Sequence, residues 1–67
     1  MKKGALVVYK TATDEEKRGI VYYEEQHDDT FAFLHQTDEN FNPILINGKP
    51  SKRRVKKSDC RTVGFVD

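Results

Sequence analysis

The sequence predicts an all-β fold made of five or six short strands. Three observations carry that expectation. The apolar residues come in short blocks rich in β-branched and aromatic side chains, each too short for a helix. Turn-forming residues separate the blocks. No apolar stripe of helical period is present, so the helix of a βαβ unit is missing. The chain has 67 residues, enough for one domain over 1–67 and too few for two. A domain this size buries about 60% of the surface its unfolded chain exposes, so a thin core is expected.

The first strand is read over residues 5–9, Ala-Leu-Val-Val-Tyr. Residues 11–18 are polar and read as a loop. A single helical turn starting at Thr13 fits the capping pattern Thr13-Asp14-Glu15-Glu16. Gly19 opens a second strand over 19–26, and His27-Asp28-Asp29 is a turn signal. The third strand, 30–36, is close enough to the second for a hairpin. Alternation places Phe31, Phe33 and His35 on one of its faces and Ala32 and Leu34 on the other. Tyr22 or Tyr23 must partly serve the core.

Residues 37–43 read as a polar loop ending in Asn42-Pro43, and Ile44-Leu45-Ile46 as a short strand. Asn47-Gly48 is the strongest turn dipeptide of the chain. Pro50 demotes the segment after it to an edge or a loop. Residues 52–57 carry one apolar side chain, Val55, among basic ones, as expected of a protected edge strand. A turn at 58–61 leads to a last strand at 62–66. Strands and turns spaced in this way fit a small barrel, a small sandwich or a twisted meander.

The pieces at 4–9, 19–26, 30–36 and 55–66, with the turn Ser58-Asp59-Cys60, resemble an SH3-like small barrel. In that group a long loop follows strand one, a glycine-led strand comes next, and a tight turn leads into a short final strand. Arg18-Gly19-Ile20-Val21 resembles the glycine-hydrophobic core of KOW-type modules, of which Tudor-like barrels are a further relative. The resemblance covers most of the chain, and residues 41–50 depart from it. It implies a five- to six-stranded barrel that binds RNA, peptides or other proteins, and the fold alone does not choose among these.

Charge is segregated along the chain although its net value is only +1. Between Asp14 and Glu39 nine acidic residues face two basic ones; between Lys49 and Arg61 seven basic residues face one acidic. Such asymmetry marks interaction surfaces. The acidic candidates for docking a protein partner are Glu24, Glu25, Asp28, Asp29, Asp38 and Glu39. The basic candidates for RNA or DNA are Lys49, Lys52, Arg53, Arg54, Lys56, Lys57 and Arg61, with Tyr22 and Phe41, and Tyr23 beside them, as the rings available for stacking. Complementary patches and open edges also permit self-association.

Catalytic chemistry has little to stand on. Cys60 is the single cysteine, which excludes an internal disulfide and favours a reducing compartment. Lys57 and Arg61 beside it are able to lower its pKa, but the leading expectation is a partly buried turn cysteine. His27 and His35, the two imidazoles, are far from it in sequence, so no nucleophile–base pair is evident. His27, Asp28, Asp29 and His35 match no standard metal spacing, and the four glycines are isolated rather than gathered in a phosphate loop. Neither cofactor nor metal is expected. The apolar run behind Met1-Lys2-Lys3 is too short for a signal core or a membrane span. The expectation is therefore a non-enzymatic, soluble, cytoplasmic interaction module, a small regulator or inhibitor of a phage-like type. The alternative is a nucleic-acid-binding module using residues 49–61.

Overall fold

The computed structural model describes residues 1–25 and 29–66. Among these, the strands are β1 (Ala5–Lys10), β2 (Glu16–Tyr23), β3 (Phe31–Thr37), β4 (Leu45–Ile46), β5 (Lys49–Pro50), β6 (Lys52–Lys56) and β7 (Cys60–Phe65). A 3-10 turn, Lys57–Asp59, joins β6 to β7. Five strands form one antiparallel sheet in the order β6-β3-β2-β1-β7, and β4 and β5 form a separate small hairpin. The all-β expectation therefore holds. Among the described residues β6 and β7 stand at the two edges, and no ladder joins them.

Alternation decides which face becomes the core. Ala5, Val7 and Tyr9 of β1, Val21 of β2, Ala32 and Leu34 of β3, and Val55 of β6 are buried together. The largest fully buried side chains are Tyr9, Leu34, Val7 and Val21. Each contributes about 1.5–3 kcal/mol of transfer free energy if wholly removed from water. So few anchors make each of them costly to lose.

The core also holds one polar chain. Gln36 Nε2 donates to the Tyr9 hydroxyl at 3.3 Å, and Ser51 Oγ donates to Gln36 Oε1 at 2.6 Å. Gln36 N donates to Ser51 O, Ser51 N to Ile44 O, and Ile44 N to Gln36 O. These bonds fasten the β4–β5 hairpin to the end of β3. The hairpin turn is Asn47-Gly48, both at positive φ (53° and 77°), the geometry expected of that dipeptide.

Three local expectations need correction. The second strand begins at Glu16, because residues 16–18 pair with Lys10, Tyr9 and Val8. Gly19 thus lies inside β2 rather than leading it, and the loop after β1 is short. No helical turn starts at Thr13. Asp14 instead sits at φ 64°, its N–H donating to Thr11 O, and Glu15 N donates to Thr11 Oγ1. An aspartate tolerates that left-handed position better than most residues, and this closes the hairpin tightly. The last strand begins at Cys60, directly after the 3-10 turn.

An irregularity in β2 sets up the surface. Val21 pairs with Leu34 and Tyr23 with Phe33, so Tyr22 is an extra residue in the ladder, a β-bulge. Strict alternation would send Tyr23 to the core. The bulge sends it out instead.

A ring-and-cation face on the sheet

Opposite the core, β3 presents Phe31, Phe33 and His35. Each faces a basic residue of β6 directly: Phe31 opposite Lys56, Phe33 opposite Arg54, His35 opposite Lys52. On the other flank, β2 supplies both tyrosines. Tyr22 stacks on His35 with ring centroids 4.3 Å apart and planes inclined 10°. Tyr23 meets Phe33 edge-on at 5.5 Å. The Arg54 guanidinium lies 4.4 Å from the Phe31 ring centre, and Lys52 Nζ lies 5.3 Å from that of Tyr22. Five rings and three cations thus share one sheet face, with Tyr23 half exposed.

Burial, and then the Lys52 ammonium, hold His35 below the usual imidazole range. Both effects favour the neutral ring in its stack with Tyr22.

The other basic candidates lie elsewhere. Arg53 points to the inner side, its guanidinium 5.7 Å from the Tyr9 ring centre. Lys49 is on the small hairpin, and Lys57, in the 3-10 turn, pairs with Asp29. Arg61 is on β7, at the far edge of the sheet. Phe41 is half-buried in the β3–β4 loop at φ 61°. Phe31 and Phe33 join the site although they were not among the rings expected from sequence, and Tyr23, which was, joins them. The consecutive tyrosines and the β3 alternation were the available signals; the bulge was not.

The acidic candidates are divided. Glu24, Glu25 and Asp29 sit where β2 leads to β3, and Asp38 and Glu39 follow the other end of β3. Seven residues of strand separate the two groups, roughly 20 Å. Glu24 Oε1 accepts the Lys3 backbone N–H. The Asp38 carboxylate accepts the N–H groups of Asn40 and Asn42 at 2.8 and 2.9 Å, and these bonds, Asn42 first, lower its pKa. Its visible work is to shape the β3–β4 loop. Asp28 and His27 lie outside the described residues.

Cys60 is the partly buried cysteine at the turn that the plainer sequence reading expects, not an activated thiol. Burial and Asp59 push its thiol up rather than down, and Sγ donates to the Lys56 carbonyl at 3.4 Å. Among the described residues no group of three or more His, Cys, Asp or Glu side chains is arranged to hold a metal ion. No helix there is long and apolar enough to cross a membrane. Comparison with protein-family models, curated proteins and solved structures finds no match to this chain.

Proposed function

We propose that this chain is a non-enzymatic nucleic-acid-binding module that uses the outer face of its sheet. One observation carries the reading: the in-register rows of rings on β3 and cations on β6. Rings offer stacking surfaces to bases, and lysine and arginine beside them attract phosphates by releasing counterions. Tyr22 and Tyr23 widen the platform, and Lys52 and Arg54 already stand over rings, where a phosphate can draw them outward. The net charge of +1 leaves the attraction local to this face.

Fluorescence anisotropy of a labelled mixed-sequence oligonucleotide at low salt tests the reading. A complex is expected that weakens steeply as salt rises. Tyr23→Ala should weaken it about tenfold, the loss of about 1.4 kcal/mol of stacking. Absence of any complex at about 50 μM protein, an affinity weaker than about 6 kcal/mol, refutes it.

A second reading, docking to a protein partner as a regulator or inhibitor, draws support from the β4–β5 hairpin. Ile44, Leu45 and Ile46 are all exposed there, Leu45 and Ile46 at 58% and 60%. A pull-down with nuclease-treated extract separates the two. A captured protein that Leu45→Ser/Ile46→Ser no longer retains supports docking; equal capture by the variant counts against it.

A further inference from the structure

We infer that the nucleic acid taken by this face is a single strand drawn out of its stack, held over three nucleotides, one for each ring-and-cation rung of β3 and β6. This rests on the nucleic-acid reading above and specifies its ligand.

The rungs are Phe31–Lys56, Phe33–Arg54 and His35–Lys52. Alternate residues of a strand recur about every 6.8 Å. Successive bases in a stacked nucleic-acid strand are about 3.4 Å apart, half that distance. A helical stack therefore cannot lay consecutive bases on consecutive rings. A strand with its bases parted from one another can, since each base then meets a separate ring. A duplex offers no free base face at all.

The rungs also have a direction across the sheet. The cations lie on β6, an edge strand, open to an approaching phosphate chain. The tyrosines lie on β2, one strand beyond the central rings. Past Tyr23 the chain continues into Glu24 and Glu25, acidic residues beyond the end of β2, whereas β6 carries a cation at every rung. Phosphates therefore run along β6, and bases point inward over β3 toward β2. The footprint ends after three rungs because β6 ends at both sides, although β3 runs on to Thr37. β6 stops at Lys56, opposite Phe31, and starts at Lys52, opposite His35.

The test is a length series of labelled oligothymidylate and oligouridylate, from two nucleotides to eight, read by anisotropy at about 50 mM salt. Affinity should rise about tenfold per nucleotide up to three, and less than about twofold per nucleotide beyond. The sugar that binds more tightly identifies the natural strand, DNA or RNA, and the break at three is required of it. Lys52→Gln, Arg54→Gln and Lys56→Gln, all on an exposed edge, should each remove about 0.7 from the slope of log affinity against log salt. A break at another length overturns the three-rung footprint, as does a duplex that binds as tightly as a single strand of equal phosphate number. Either result leaves nucleic-acid binding standing. If no oligonucleotide of any length binds, both inferences fall.

Discussion

Gly19→Ala is the sharpest test of how this sheet is packed. Gly19 is buried inside β2, between Val7 and Gln36. A Cβ there would stand 3.0 Å from the His35 carbonyl oxygen, 3.1 Å from Leu34 Cβ and 3.2 Å from Leu34 Cδ1. The first contact is backbone held in the β2–β3 ladder, so it yields little. The other two belong to a side chain that is wholly buried and fills the core. Overpacking of this kind costs about 1–3 kcal/mol. Alanine recovers about 0.5–1 kcal/mol by restricting the unfolded chain. The net loss centres on about 1 kcal/mol, or roughly 4–8 °C in Tm for a domain of this length. Urea unfolding followed by circular dichroism reads the difference directly. A variant as stable as the parent, or more stable, would show that the approach of Leu34 to the β2 backbone is not close packing, and the account of Gly19 would fail.

Three further predictions concern titration and polar contacts. His35 is held below the usual imidazole range, so as pH falls below about 6.5 the unfolded chain takes up a proton that the fold resists, and stability declines. His35→Gln should flatten that decline between about pH 7.5 and 5; an unchanged slope in thermal melts sinks the assignment. Gln36→Ala leaves the buried Tyr9 hydroxyl without its donor and Ser51 without its acceptor, and should cost about 1–3 kcal/mol in urea unfolding, with a neutral outcome counting against the network. Asp38→Ala should speed amide hydrogen exchange at Asn40 and Asn42, whose N–H groups its carboxylate accepts; equal exchange would show the loop to be shaped by something else.

Much of the scaffold was legible because it depends on short-range rules. The apolar blocks became β1, β2 and β3. Asn47-Gly48 became the hairpin turn, and the basic run became an edge. The face shared by Phe31, Phe33 and His35 followed from alternation alone. What escaped depends on pairing between distant residues. The strand status of residues 16–18 comes from their partners on β1, not from their own polar side chains. The bulge at Tyr22 is set by the fit of β2 against β3, and without it one tyrosine was expected partly to serve the core. The acidic residues read as one surface because they are near in sequence, yet β3 runs between them. For Cys60 the sequence offered basic neighbours and a partly buried turn position, and burial dominates its titration.

The bulge has a consequence for how this surface can change. Pairing is regular on both sides of Tyr22: Val21 with Leu34 before it, Tyr23 with Phe33 after it. Losing either of the two tyrosines would leave Val21 opposite Leu34 and a tyrosine opposite Phe33, and simply close the ladder, whereas losing Val21 would bring a tyrosine opposite Leu34 in the core. One ring of the platform is thus an addition that the fold does not need in order to close. A single codon lost or gained at this point alters what the sheet offers to a ligand while leaving the hydrophobic interior as it was.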